Sequence, residues 1–174
     1  MTRVSKAFWI WCQFYESDMI FLNKIQSKLF KNFTSPFFDI HLTLHGPFLN
    51  KQDLPYDKFY ELRNKLKSID IEALDYSFSN NFYTSLYVEI CKSNNLIDMN
   101  NYLKKEFFIP NQQDYFKPHI SLIYGNFKKV NKINAIKNLP LIKRKKFKIK
   151  NLAIVDVNEE INQWNILEKV NLPI

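Results

Sequence analysis

The stretch HLTLHG at residues 41–46 returns, 78 residues further on, as HISLIYG at 119–125. Each copy opens on a histidine, carries a hydroxyl residue two positions later, Thr43 or Ser121, and ends on a glycine, Gly46 or Gly125. The chain of 174 residues has three histidines and two glycines, so the repeat takes two of the former and both of the latter. In a strand, side chains two apart share a face. His41 and Thr43 therefore point one way while Leu42 and Leu44 point the other, and the same parity separates His119 and Ser121 from Ile120 and Leu122. Two such strands lying side by side across a pseudo-twofold axis bring two imidazoles and two hydroxyls to one cleft, with room for a small anion between them. The interval far exceeds the roughly 20–50 residues of stacked repeats, which points to two similar lobes and not to a solenoid.

Periodicity around the repeat gives alternating strands and helices with no long linker. The run 8–14 is short, aromatic and β-branched, as a buried strand requires, and Ser17 or Asp18 is placed to cap a helix carrying Leu22, Ile25, Leu29 and Phe33. Pro55 suits the first turn of a second helix with Phe59, Leu62, Leu66 and Ile69 on one face. Strands are expected over 71–79 and 82–91 with a hairpin turn at Asn80 and Asn81, since Asn is the usable turn residue where Gly is absent. A helix over about 95–108 turns Leu96, Met99, Leu103 and Phe107 to one side and ends by Pro110. The second motif strand, a short helix with Val130, Ile133 and Ile136, and closing strands over 147–157 and 163–170 complete the order β-α-β-α-β-β-α-β-α-β-β. Residues 1–174 read as one domain with two lobes.

A hydrophobic content of 46%, with 16% aromatic, is ample for a sizeable core. The formal net charge of +8 favours anionic partners such as nucleotides, RNA or an acidic membrane surface. The basic run KRKKFKIK at 143–150 reads as solvated lysines where the chain enters a strand, with RNA contact as the functional alternative. Cys12 and Cys91 fall in apolar strand-like runs without metal spacing, and read as buried free thiols in a reducing compartment. The opening MTRVSKAFWIWCQF resembles a secretory signal only weakly, because its apolar run stops after six residues and no small-residue cleavage site follows. No run approaches the ~18 apolar residues of a membrane span. A cytoplasmic, soluble monomer with no membrane association and no obligate protein partner is expected.

Three histidines could in principle hold zinc, yet no Asp, Glu or Cys accompanies them at ligand spacing, so neither a metal nor a cofactor is expected. Two facing imidazoles suit phosphodiester chemistry instead. With an unperturbed pKa near 6.5, one ring can accept a proton while the other donates one. Such transfers commonly contribute ~10²–10⁴-fold in rate, and hydroxyls aimed at phosphoryl oxygens stabilise developing charge. A strained five-membered cyclic phosphate needs little beyond this acid, base and anion clamp. His45 shares the parity of His41 but sits near the expected strand end, and reads as a cleft-rim or surface histidine. Gly46 and Gly125 suit a backbone geometry or close approach that a Cβ would prevent.

At these residues the sequence resembles the 2H phosphoesterase superfamily, whose two H-Φ-[ST]-Φ motifs read here as HLTL at 41–44 and HISL at 119–122. KPHISLIYG, with a proline before the second motif and a tyrosine after it, looks most like the 2′,3′-cyclic nucleotide phosphodiesterase branch, typified by plant cyclic phosphodiesterases. The continuation HGPF is closer to bacterial and phage members. The resemblance covers most of the chain and implies a bilobal α+β fold, with two pseudo-symmetric antiparallel sheets around a central cleft and helices outside. Carried over by position, it implies His41 and His119 as the acid and base pair, with His119 the base for water and His41 the acid for the leaving oxygen. It implies Thr43 and Ser121 as phosphate-binding hydroxyls, Tyr124 as a contact to phosphate or sugar, and Trp11 as a base-stacking or cleft-wall residue. The substrate implied is a nucleotide or RNA end bearing a 2′,3′-cyclic phosphate, or a related sugar cyclic phosphate, opened without metal to a 2′-phosphate. Cleavage of 2′-5′ linked oligonucleotides or cyclic dinucleotides, and RNA binding without turnover, are the alternatives.

Overall fold

A computed structural model of the chain describes residues 7–54, 56–109 and 116–174. Among them, seven strands and four α-helices follow in the expected order: β1 (Phe8–Phe14), α1 (Glu16–Phe30), β2 (Leu42–Phe48), α2 (Tyr56–Lys65), β3 (Asp70–Phe78), β4 (Leu86–Ile90), α3 (Asn94–Glu106), β5 (His119–Ile123), α4 (Lys129–Ile136), β6 (Lys146–Asp156) and β7 (Asn165–Asn171). Pro55 and Pro110, expected at a helix start and a helix end, lie outside the described residues.

The architecture is α+β, and every strand pairing is antiparallel, in the order β1-β2-β5-β4-β3-β6-β7. Strand β6 pairs with β7 along one edge and is long enough to serve two partners along the other. Residues 146–148 pair with β3 and residues 149–156 with β1, so the sheet curls round and closes on itself. The expected two sheets are thus two arms of one sheet that share β6. One arm is β2-β1-β6-β7; the other is β5-β4-β3 with the start of β6. Where the arms meet again, β2 and β5 pair through one rung, Leu42 with Ile120.

Apolar side chains set these positions. Leu42, Leu44, Ile120 and Leu122 are fully or almost fully buried in the core, together with Leu22, Ile25 and Leu29 of α1 and Leu96, Met99 and Leu103 of α3. Helices α1 and α3 cover the sheet with one apolar face each, as their spacing of three and four requires. Helix α1 starts earlier than expected, with Tyr15 as its N-cap residue. Asp18 therefore stands in the first turn, where its carboxylate accepts the Lys148 backbone N–H at 2.9 Å.

Three local expectations are corrected. The connection between β3 and β4 is not a two-residue hairpin at Asn80 and Asn81 but a longer loop containing a 3-10 turn, Phe82–Thr84. Asn81 caps that turn by accepting the Tyr83 N–H at 2.9 Å. Helix α4 leaves Val130 57% exposed and buries Lys132 to 1%; the Lys132 ammonium donates to the Ser79 carbonyl at 2.7 Å and lies 5.5 Å from the Phe78 ring centroid, contacts that offset part of a desolvation that lowers its pKa. Both cysteines are free; Cys12 is buried, with its thiol pushed well above the ordinary value by burial, whereas Cys91 is only half-buried at the end of β4.

Candidate active site

Around the Leu42–Ile120 rung the antiparallel register sets His41 at the level of Ser121, and Thr43 at the level of His119. The rung turns its two side chains into the core. Its four neighbours turn to the opposite face, where they line a cleft of about 360 Å³ with Trp9, Trp11, Asn81, Tyr83, Thr84, Tyr124, Val157 and Trp164. All six candidate residues, His41, Thr43, His119, Ser121, Tyr124 and Trp11, are brought together in it.

Both histidines are oriented by the same local device. The His41 Nδ1–H donates to the Asp39 carbonyl at 2.6 Å, and the His119 Nδ1–H donates to the Lys117 carbonyl at 2.8 Å, each two residues upstream in its own chain segment. A carbonyl only accepts, so the proton is fixed on Nδ1 and the reactive Nε2 of each ring is left for the cleft. Burial lowers the His41 pKa to about 3 and is the largest cause; the Asp39 carbonyl raises it and the neighbouring His119 lowers it. His119 is also lowered, again chiefly by burial, with the Lys117 carbonyl opposing and the Lys117 charge adding. With these surroundings alone, both rings are neutral near pH 7.

Aromatic rings enclose this pair. Trp11 stacks flat on His41 with ring centroids 3.4 Å apart and planes within 3°. Tyr124 stacks on Phe38 at 3.8 Å and meets Trp164 edge-on at 5.9 Å. Tyr87 meets His119 edge-on at 5.3 Å. The Ser121 hydroxyl donates to the Tyr83 carbonyl at 2.9 Å and also lies within hydrogen-bonding reach of the Tyr124 hydroxyl. The Tyr124 pKa is raised far above the usual value by burial, so the phenol is held neutral.

Sequence reasoning did not find Trp164, Tyr83 and Thr84. Trp164 follows a 3-10 turn just before β7 and walls the cleft beside Tyr124 and Trp11, with its buried indole N–H unpartnered. Tyr83 and Thr84 arrive through the capped loop after β3. Their one sequence signal is Asn81, whose capping role shows only once the loop is seen.

His45 is corrected as well. Strand β2 runs on to Phe48, so His45 stands inside the strand at 3% exposure, not on the surface. Its Nε2–H donates to the Phe107 carbonyl at 2.6 Å, while its Nδ1 is buried without a partner. It lines a second cavity of about 420 Å³ that shares Trp9, Thr43, Thr84 and His119 with the first.

Gly46 has φ +135°, and a Cβ there would stand 2.6 Å from the Trp9 ring. Glycine lets Trp9 lie against the strand and form the wall between the two cavities. Gly125, at φ +143°, admits the Phe127 ring in the same way.

With this geometry in place, the likeness to solved structures is informative. TT0787 of Thermus thermophilus superposes with a TM-score of 0.69 at 16% identity, covering 95% of this chain and 97% of that one. E. coli LigT complexed with 3′-AMP superposes with a TM-score of 0.61 at 12% identity, covering 97% and 99%. The chain has the 2H phosphoesterase fold. A structure described as a phosphoesterase matches at a TM-score of 0.57 and 12% identity, covering 97% and 99%. No family model and no curated protein matches the sequence itself. At these identities the 2H likeness is one of fold. The basic run 143–150 contributes no residue to either cavity; its Lys145 and Lys148 instead lie over the rings of Phe21 and Tyr15. Among the described residues no three His, Cys, Asp or Glu side chains are grouped to hold a metal ion, and no helix is long and apolar enough to cross a membrane.

Proposed function

We propose that the protein is a metal-independent phosphodiesterase that opens 2′,3′-cyclic phosphates of nucleotides, RNA ends or related sugars, leaving a 2′-phosphate. The observation that carries this reading is the matched pair of histidines. Each is pinned through Nδ1 to the carbonyl two residues upstream, and the two flank a single rung on opposite arms of the sheet.

A phosphate between them lies within reach of the Thr43 and Ser121 hydroxyls, and the Ser121 hydroxyl turns off the Tyr83 carbonyl to meet a phosphoryl oxygen. Its negative charge favours an imidazolium, so one proton enters with the substrate. His119, the less buried ring, is the base on the water side. It takes the proton of the attacking water as the new O–P bond forms, and His41 gives its proton to the departing 3′ oxygen as the P–O bond breaks. The environment that disfavours the His41 imidazolium makes it a strong acid when it forms. Tyr124 supports the Ser121 hydroxyl and contacts phosphate or sugar, while the rings of Trp164 and Tyr83, 6.4 Å apart and within 24° of parallel, offer stacking for a base. LigT, which shares the fold, has been seen with 3′-AMP, ATP, phosphate and NADP+, each of them a phosphoryl anion. A nucleotide or RNA substrate, a cytoplasmic setting and monomeric action complete the proposal.

The test is incubation with 2′,3′-cyclic nucleotides in excess EDTA, followed by phosphorus NMR. Wild type is expected to yield a single monophosphate isomer, and His41→Ala and His119→Ala none. Full activity in both variants would end the two-histidine mechanism. Salt-sensitive RNA binding that survives both substitutions, without turnover by wild type, would favour a binding module instead. The extended cleft favours a second reading, hydrolysis of 2′-5′ linked oligonucleotides or cyclic dinucleotides by the same four groups. Running both linkages in one assay separates the two.

A further inference from the structure

The second cavity differs in chemistry from the first. Helix α3 directs Asn100 and Lys104, one turn apart on one face, into it. Lys117 and Tyr87 enter from the other side, with the Lys117 ammonium 6.0 Å from the Tyr87 ring centroid. Among the described residues, the first cavity has no lysine or arginine in its lining and is walled by aromatic rings; the second has two lysines, and neither is lined by a carboxylate. His45 adds a buried, unpartnered Nδ1, which is an acceptor because Nε2 carries the proton donated to Phe107. The two cavities meet at Thr43 and His119, so one ligand can occupy both while its scissile phosphate stays at the histidines.

We propose that the second cavity is a subsite for the adjoining nucleotide of an oligonucleotide, with its linking phosphate held between Lys104 and Lys117. The inference rests on the phosphodiesterase reading and names its substrate class as a chain of at least two nucleotides.

The test is equilibrium titration of the protein with adenosine 2′-monophosphate and with the dinucleotide ApA bearing a terminal 2′-phosphate, at one ionic strength. The dinucleotide is expected to bind about tenfold or more tightly. Lys104→Ala and Lys117→Ala are each expected to shrink that ratio several-fold, whereas Lys104→Arg and Lys143→Ala, the latter in the basic run, keep it. Equal affinities, or a ratio that survives the double Lys104→Ala/Lys117→Ala substitution, would overturn the subsite. A ratio lowered as much by Lys143→Ala would also overturn it, since general surface charge would then account for the preference. Because binding needs no turnover, the outcomes separate. Opening of 2′,3′-cyclic AMP without a dinucleotide preference removes the subsite alone, and a dinucleotide preference without turnover removes the reaction alone. Failure of both ligands to bind removes both.

Discussion

Trp11 lies flat against His41, and this stack does two things at once. It removes water from one face of the imidazole, and it holds the ring in the plane that its Nδ1 bond to Asp39 requires. Trp11→Ala is therefore expected to move the His41 pKa upward toward 6.5 in a proton NMR titration, while kcat falls roughly tenfold because the ring loses its orientation. The pH dependence of wild type follows from the same burial. In the proposed mechanism the active free form has one imidazole and one imidazolium, and both histidines titrate below their ordinary value. The imidazolium is lost as pH rises toward neutrality, so kcat/KM should peak below about pH 6.5 and fall above it. The kcat profile should lie at higher pH, where bound phosphate supports the charge. A kcat/KM maximum above about pH 7.5 would contradict the assignment. Stability has a matching sign: a histidine held neutral contributes nothing adverse above about pH 6.5, and costs on the order of 1 kcal/mol per pH unit as pH falls toward the folded value. Acid unfolding monitored by circular dichroism should accordingly be postponed in His41→Ala. At this scale much was legible, because strand parity alone set His41, Thr43, His119 and Ser121 on one face. The Trp11 stack was not, since face-on contact between residues well separated in the chain depends on how β1 meets β2.

Elements position these residues through polar ties as well as through packing. Asn100 donates to the Leu44 carbonyl at 2.6 Å, and His45 donates to Phe107 at 2.6 Å, so α3 is fastened to β2 at its middle and at its C-terminal cap. Asn100→Ala leaves that buried carbonyl without a donor and should lower stability by about 1–3 kcal/mol in urea unfolding. Gly46→Ala brings a Cβ against Trp9 at a φ that L residues rarely adopt. A loss of about 1–3 kcal/mol with a shifted tryptophan emission is expected. Helix and strand order was readable from period and breakers. The loop after β3 was not, because Asn80 and Asn81 satisfy a tight turn as well as the capped 3-10 turn that forms. The inward face of α4 was missed for a related reason: apolar spacing favoured Val130, while a single carbonyl on Ser79 made burial of Lys132 cheaper than its charge suggests.

For the whole molecule, parity could say which face of each strand is apolar but not which strands are neighbours. The β1–β6 and β2–β5 pairings join segments far apart in sequence, and nothing local announces them. Charge acts at this scale as well. A net charge of +8, and cavities lined by no carboxylate among the described residues, imply attraction of an anionic substrate over a distance. The value of kcat/KM should fall as ionic strength rises from low to several times the physiological level, with kcat little changed. A final consequence lies in the rung at Leu42 and Ile120, where the curled sheet is joined by one residue pair. The sheet's narrowest join and the proposed chemical centre coincide there. A phosphate gripped from both arms acts as a clasp across that seam, so occupancy should stiffen strands well beyond the residues it touches, and an empty protein should breathe along the same line.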